Sequence, residues 1–184
     1  MKRQSFFIGL GLTALTSLAS LSVSIYPGFG QSTTSESQPN KVTEADYTKA
    51  ITINPQDAEA YYNRGNLYSD QKKWELALAD FTKAIAINPQ DAEAYVHRGN
   101  IYSDQKKWEL ALADYNKAIA INPQFVEAYL SRGMVYLNKG EPQKTVPDLQ
   151  QAAQIFQAEG NTDAYERVIN MLKKLQKILK ELQK

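Results

Sequence analysis

Few side chains of this sequence have the types and spacing that catalysis, metal binding or phosphate binding requires. His97 is the only histidine and there is no cysteine, which excludes disulfides and thiol nucleophiles. No second ligand lies near His97 at the spacing of a zinc site, and no motif presents a serine to it. The glycines occur singly rather than in a phosphate-binding loop. We therefore expect no catalytic residue, no metal site and no cofactor, and we interpret His97 as a surface or groove residue.

Arginine and aspartate recur along the chain with one common spacing. Pairing between them is chemically favourable, because a planar guanidinium and a carboxylate can form two parallel hydrogen bonds. Two interpretations stay open, a structural Arg–Asp ladder and a row of arginines that bind a ligand, and we favour the ladder. The residues are Arg64, Arg98 and Arg132, with Asp46, Asp80, Asp114 and Asp148.

This spacing belongs to a repeat that organises most of the chain. Segments 59–92 and 93–126 have the same length and differ at only seven positions. A looser third copy begins at Glu127, and a half copy at 45–58 matches 79–92 at all but two positions. A fixed period of this size is typical of stacked repeats, because one helix pair cannot bury its apolar face alone.

Each copy carries aromatic and small residues at the same places, counted from Ala58, Ala92 and Val126. The shared residues are Tyr61, Tyr95 and Tyr129 at position 4, Gly65, Gly99 and Gly133 at position 8, Tyr68, Tyr102 and Tyr136 at position 11, Phe81, Tyr115 and Leu149 at position 24, and Ala84, Ala118 and Ala152 at position 27. Pro89 and Pro123 end the two regular copies. The pattern resembles the tetratricopeptide repeat family, of an exported bacterial type, and departs from it in having arginine at position 7.

The spacing of the apolar residues indicates two helices in each copy. Tyr61, Gly65 and Tyr68 lie on one helical face, and a second apolar stripe begins at Trp74. We expect Gly65 to face Ala77, so that the two helices cross closely. The prediction is an all-α fold, an α-solenoid of stacked antiparallel helix pairs that forms a tetratricopeptide superhelix with a C-terminal capping helix.

The sequence divides into seven segments. They are a signal peptide or N-terminal anchor at 1–30, a flexible linker at 31–43, a half repeat forming a capping helix at 44–58, repeats at 59–92 and 93–126, a degenerate third repeat at 127–160, and an amphipathic helix at 161–184. The formal net charge is +1, so no overall field favours nucleic acid.

Segment 1–30 has the layout of an export signal. Lys2 and Arg3 precede an uncharged apolar run at 6–23, and small residues follow at two candidate cleavage sites. We favour cleavage, and an uncleaved anchor is the alternative. Either interpretation predicts an exported protein, periplasmic or extracellular, with attachment to the inner membrane under the alternative.

The end of the chain departs from the regular repeat. Pro142 suits a first helical turn, but Pro147 lacks the amide hydrogen that a helix interior needs, so we expect the helix to begin near Pro147 or to kink there. A last helix follows from Asp163 to about Leu182, capped by Thr162 or Asn161.

The last helix has one apolar seam and a lysine-rich polar side. We favour a cap that packs on the preceding helix pair; a homodimeric coiled coil through 163–182 and an amphipathic membrane helix are the alternatives. The seam consists of Tyr165, Val168, Leu172, Leu175, Leu179 and Leu182.

The resemblance implies a concave groove lined by the first helix of each repeat. The groove residues that it implies are Glu59, Tyr62, Asn63, Asn66 and Asp70, then Glu93, Val96, His97, Asn100 and Asp104, then Glu127, Leu130, Met134 and Leu137. Some family members hold the C-terminal carboxylate of a chaperone through Lys, Asn and Arg. Here asparagines match, but no basic residue occupies the groove positions, so acidic tails should be repelled.

We therefore expect a non-catalytic protein-interaction module, or adaptor, that binds an extended peptide or partner protein and no nucleic acid. Basic or neutral ligand residues are expected at the first two repeats, and an apolar one at the third. The alternative is a structural spacer, membrane-tethered or self-associating, with no groove ligand.

Overall fold

A computed structural model describes residues 42–182, and every regular element in this range is an α-helix. The helices are α1 (Glu44–Ile53), α2 (Ala58–Asp70), α3 (Trp74–Ile87), α4 (Ala92–Asp104), α5 (Trp108–Ile121), α6 (Val126–Asn138), α7 (Pro142–Ala158) and α8 (Thr162–Leu182). The predicted export signal and the predicted linker up to residue 41 lie outside the described residues. None of the helices in the described range is long and apolar enough to cross a membrane.

Two compact units make up the described chain. In the N-terminal unit, residues 42–128, each helix packs on the next from α1 to α5, and α2 also contacts α4. In the C-terminal unit, residues 129–182, α7 packs on α8. Helix α6 begins in the first unit and continues in the second. This arrangement confirms the predicted α-solenoid of helix pairs.

The two helices of each regular repeat approach closely at a glycine. A Cβ atom built on Gly65 would lie 2.9 Å from Cε1 of Phe81, and one on Gly99 would lie 2.8 Å from Cε1 of Tyr115. These aromatic rings are buried, and a methyl group could enter only by displacing them. The prediction of close approach is confirmed, but the neighbour of Gly65 is the Phe81 ring rather than Ala77.

The regular helices begin and end where their sequence specifies. Asp57 accepts a hydrogen bond from the Ala60 amide (2.9 Å), and Asp91 accepts one from the Ala94 amide (3.1 Å), so both carboxylates cap a first helix. Helix α3 stops at Ile87, immediately before the Asn–Pro dipeptide, because the residue before proline avoids the helical region.

Of the two alternatives expected for the third repeat, a helix that begins near Pro147 is wrong, and a kink at Pro147 stays a prediction. Helix α7 begins at Pro142 and includes Pro147, instead of starting near the second proline. Its first turn is held from outside, because the buried hydroxyl of Thr145 donates to the carbonyl of Gly133 (3.0 Å). Pro147 itself is exposed, so its ring does not disturb the core. The helix ends at Ala158, as expected.

Helix α8 uses much of its apolar seam within the chain. Asn161 caps it by accepting from the Ala164 amide (3.2 Å). Val168, Leu172 and Leu175 are buried where α8 lies on α7, as a capping helix requires. A coiled-coil dimer through the whole of 163–182 would need these side chains, so that alternative is wrong for the N-terminal half of the helix.

Candidate functional site

The first helices of the repeats carry all the residues predicted to line a groove. In the N-terminal unit these residues lie on α2 and α4, which contact one another, and on the start of α6. Among them, Glu59, Asp70, Glu93 and Asp104 are exposed, while Tyr62, Asn63, Asn66, His97, Asn100 and Glu127 are partly buried. We call this surface of α2 and α4 the first-helix surface.

Three rings from three helices meet on the first-helix surface. His97 of α4 stacks on Phe81 of α3, with ring centroids 5.7 Å apart, and meets Tyr62 of α2 edge to face at 5.5 Å. Tyr62 and Phe81 are themselves 5.9 Å apart. The hydroxyl of Tyr62 donates to Oε2 of Glu93 (3.1 Å) and so joins α2 to α4. His97 is thus a packed member of an aromatic cluster at the junction of two repeats.

Burial and negative charge set the electrostatics of this cluster. Burial raises the pKa of Tyr62 to about 12, partly offset by a hydrogen bond with Asn66. Burial also lowers the pKa of His97, although the charges of Glu93, Asp91 and Asp70 oppose the shift. The imidazole is therefore neutral at neutral pH.

Two carboxylates near this surface, Glu127 at the start of α6 and Asp104 at the end of α4, have raised pKa values. Burial raises the pKa of Glu127, and the negative charge of Glu93 raises it further. Burial raises the pKa of Asp104 as well. Because none of the predicted groove positions is a lysine or an arginine, the surface attracts cations and repels anions.

Two asparagines at matching positions of α2 and α4 carry incompletely bonded amides. Asn100 Oδ1 accepts from the hydroxyl of Tyr115 (2.8 Å), while its Nδ2 is buried with no partner among the described residues. Phe81 stands at the place of Tyr115 in the first repeat and has no hydroxyl, so Asn66 Oδ1 is buried without a partner in residues 42–182. Buried polar atoms normally find a partner, so these two amides are places on the first-helix surface where a hydrogen bond is missing.

Some predicted groove residues are not available to a ligand. Val96 and Leu137 are only 1% and 5% exposed, so both pack inside the protein instead of lining a groove. Leu130 and Met134 are partly exposed members of α6 in the C-terminal unit. Their predicted role as an apolar end of the groove stays a prediction.

The periodic arginines form the structural ladder that the sequence favours. Each pairs with the aspartate sixteen residues later, through Nε and Nη2, at 2.8 and 2.9 Å for Arg64 with Asp80 and at 2.9 and 2.7 Å for Arg98 with Asp114. Arg132 pairs with Asp148 in the same way. The three aspartates are at most 5% exposed. These arginines are therefore engaged within the protein and do not form a ligand site.

Arg64 and Arg98 also share two kinds of contact that the sequence did not lead us to expect. The guanidinium carbon lies 5.8 Å from the ring centroid of Tyr61 in the first repeat and 5.7 Å from that of Tyr95 in the second. Nη1 of Arg64 donates to Thr48 (3.1 Å) of α1, and Nη1 of Arg98 donates to Thr82 (3.2 Å) of α3. The two threonines are one repeat period apart, and this spacing in the sequence could have predicted both hydrogen bonds.

The aromatic cluster could not be predicted from position alone. Tyr62, Phe81 and His97 lie on three different helices, and only their packing brings them together. Within residues 42–182, no group of three or more His, Asp or Glu side chains could hold a metal ion.

Fold and surface together define the class of this protein as a helical-repeat interaction module, an α-solenoid of helix pairs. Models of known protein families identify which kind of helical repeat the chain contains. A tetratricopeptide repeat model matches residues 58–91, a second matches 81–113, and a TPR repeat model matches 99–140. The chain is a tetratricopeptide repeat protein.

Solved structures with peptide ligands resemble the chain. The TPR2B domain of yeast Sti1, in its pHsp70 complex, is 25% identical over 65% of this chain and 96% of that chain, with a TM-score of 0.60. The first TPR of Spaghetti (RPAP3), bound to the HSP90 peptide SRMEEVD, is 26% identical over 67% of this chain and 94% of that chain, with a TM-score of 0.59.

A third structure has an atypical ligand site. YrrB, described as a TPR protein with an unusual peptide-binding site, is 25% identical over 74% of this chain and 76% of that chain, with a TM-score of 0.59. No curated protein is significantly similar to the chain. Tetratricopeptide repeats are in general non-catalytic interaction domains.

Proposed function

We propose that the first-helix surface binds an extended segment of another protein, and that the chain has no catalysis of its own. The observation that carries this proposal is the pair of asparagines, Asn66 and Asn100, one on each of two neighbouring first helices. Each amide has a buried polar atom without a partner among residues 42–182. A peptide backbone offers a donor and an acceptor at nearly every residue, which is what these amides lack.

The charge of the surface selects the kind of segment. Glu59, Asp70, Glu93 and Asp104 are exposed around the asparagines, and none of the predicted groove residues is basic. We propose a ligand with basic or neutral residues here, unlike the SRMEEVD peptide held by the Spaghetti domain. The attraction should weaken with added salt, because exposed charges are screened beyond about 8–10 Å at physiological ionic strength.

A peptide array probed with the purified chain tests this proposal. We expect basic and neutral extended peptides to be selected, and the double variant Asn66→Ala with Asn100→Ala to lose most of this binding. Asn170→Ala, which removes an exposed amide from α8, is the matched control and should bind as wild type does. Selection of acidic C-terminal peptides, or unchanged binding by the double variant, would contradict the proposal.

We also propose that the chain is exported, because the basic start and apolar run of segment 1–30 match an export signal. A spacer that never binds a ligand is the other function that the sequence left open. The two functions differ in one measurable respect, since an adaptor carries a stoichiometric partner and a spacer carries none.

A further inference from the structure

Helix α1 presents a surface that is covered in the two regular repeats. Its sequence is nearly that of the corresponding part of α3, with residues 45–58 matching 79–92 at all but two positions. Yet α1 contains no buried residue, whereas α3 and α5 each bury a stripe of four at the corresponding places. Among residues 42–182, the same surface is therefore open in the half repeat and covered in both regular repeats.

The difference is confined to one face of α1, which we call the open face. Its members are Thr43, Asp46, Tyr47 and Ala50, which correspond to Ala77, Asp80, Phe81 and Ala84 on α3 and to Ala111, Asp114, Tyr115 and Ala118 on α5. All eight counterparts are at most 5% exposed, whereas Thr43 and Asp46 are exposed and Tyr47 and Ala50 are only partly buried. The opposite face of α1 is occupied, since Glu44 and Thr48 accept hydrogen bonds from Tyr68 and Arg64 of α2.

The regular repeats show what covers such a face. On α3 the covering helix is α2, which brings Arg64 to Asp80 and places Gly65 against the ring of Phe81. On α5 the covering helix is α4, which brings Arg98 to Asp114 and Gly99 against Tyr115. The cover is in both cases a helix with an arginine followed directly by glycine.

The open face has both features that receive an Arg–Gly helix in the regular repeats, an aspartate for the arginine and an aromatic ring for the glycine. Asp46 stands where Asp80 and Asp114 receive an arginine, but within residues 42–182 it forms no ion pair and accepts only from Thr43. Tyr47 stands where the ring of Phe81 or Tyr115 leaves room for glycine alone. The charge and the shape of this face are thus complementary to an Arg–Gly helix.

The chain's own last helix does not have this signature. Helix α8 begins with Thr-Asp-Ala-Tyr, much as α2 begins with Ala-Glu-Ala-Tyr, but Val168 and Ile169 then stand in place of Arg64 and Gly65. Val168 is buried against α7, and the side chain of Ile169 would meet the Tyr47 ring. A second copy of this chain therefore does not supply the covering helix through α8.

We propose that the open face of α1 is a second protein-docking site, and that its partner is an amphipathic helix of another protein carrying adjacent arginine and glycine. Asp46 receives the arginine through two parallel hydrogen bonds, and the glycine lies against Tyr47. The site lies on a different helix from the asparagines of the first-helix surface, so either site can fail without the other.

Disulfide trapping tests this site, because the chain has no cysteine of its own. The full chain carries Tyr47→Cys, and the probe is a synthetic peptide of residues 89–106 with Gly99→Cys, which puts both thiols where ring and glycine meet. A second peptide also carries Arg98→Ala. The control chain carries Ala45→Cys, an exposed position away from the open face. The measured quantity is the yield of mixed disulfide in a thiol redox buffer.

We expect Tyr47→Cys to trap the arginine peptide about fivefold better than the Arg98→Ala peptide, since bidentate charge-assisted hydrogen bonds are lost with the arginine. The Ala45→Cys chain should not distinguish the peptides. Ala50→Cys, a smaller change on the same face, repeats the comparison and controls for loosening of α1. Equal trapping of both peptides would overturn the proposal. So would predominant linkage between two copies of the chain, or a thiol in the Tyr47→Cys chain that small thiol reagents cannot reach.

Discussion

At the scale of single residues, the protein depends on buried carboxylates that are matched one by one with guanidinium groups. Asp114 is 5% exposed and receives two hydrogen bonds from Arg98, whose side chain is 17% exposed. An unpaired carboxylate in such a place loses its solvation without compensation. The same pairing recurs in all three repeats, which makes the arginines structural.

Replacing Arg98 by alanine should therefore lower the free energy of unfolding by about 3 kcal/mol, because it strands the buried carboxylate of Asp114. Thermal and denaturant melts measure the loss. Lys73→Ala is the control, since Lys73 pairs with Glu44 at 3.8 Å with both side chains 47% exposed, and such a pair contributes less than about 1 kcal/mol. A melting temperature of Arg98→Ala equal to that of Lys73→Ala would contradict the ladder.

His97 should make stability depend on pH in a defined direction. Burial lowers its pKa in the folded state, so below its unfolded pKa of about 6.5 the unfolded chain binds the proton more readily. Stability contributed by His97 is complete above that value and is lost as the pH falls toward the folded pKa. The raised pKa values of Asp104 and Glu127 act in the opposite sense at lower pH.

Comparison with His97→Asn, which introduces the residue of the first repeat, isolates this contribution. Melts between about pH 7.5 and about pH 5 should show the wild type losing more stability than the variant as the pH falls. Parallel curves for the two proteins would show that His97 is not desolvated by Tyr62 and Phe81.

At the scale of helices and turns, each repeat reverses direction through one left-handed residue. Lys72 and Lys106, just after α2 and α4, both have φ of 58°, and Gly140 has φ of 75° at the same place after α6. Side chains with a Cβ pay a steric penalty in this conformation, and glycine does not. The third repeat therefore has the residue that suits the turn best.

Lys72→Gly and Lys106→Gly should each raise the free energy of unfolding, by up to about 1 kcal/mol, because the left-handed strain is removed. Gln71→Gly is the control, since Gln71 has φ of −81° and glycine there relieves no left-handed strain. Calorimetry of the three variants checks this. If the first two variants melt below wild type, the strain at these turns is smaller than the entropy that glycine costs.

How far the sequence predicts this protein depends on whether a feature is periodic. Three features recur with the repeat, and their recurrence allowed the sequence to predict them. They are the helices, the close approach at Gly65 and the Arg98–Asp114 type of pairing. Pro147 occurs once, so no repeated pattern in the sequence predicts its place inside α7. The cluster around His97 likewise forms only when three helices pack together. The missing hydrogen bond at Asn66 Oδ1 depends on Phe81, a residue of another helix that has no hydroxyl.

At the scale of the whole molecule, the chain combines a predicted export signal with a repeat module. The basic start and the apolar run predict removal of the N-terminal segment and a mature protein that begins between Ile25 and Gln31. Intact-mass measurement of the native protein checks this. Full-length chain in the membrane fraction would favour the anchor instead, and full-length chain in the cytosol would contradict export.

We propose two separate surfaces of this module for other proteins. For the first-helix surface we propose an extended segment, because its two amides are incompletely bonded and its carboxylates are exposed. For the open face of α1 we propose a helix, because that face has an aspartate and an aromatic ring. Stacked repeats commonly present extended concave surfaces that bind other proteins. One chain could thus hold two partners at once.

The most direct test of the central claim is affinity capture of the partner with three forms of the native, full-length protein. We expect wild type and Asn170→Ala to retain the same stoichiometric protein. The double variant Asn66→Ala with Asn100→Ala should lose this protein while remaining folded. The retained protein should contain a basic or neutral segment that competes for binding. Recovery of the same protein by the double variant, or of this chain alone by wild type, would contradict the claim that the first-helix surface binds a peptide.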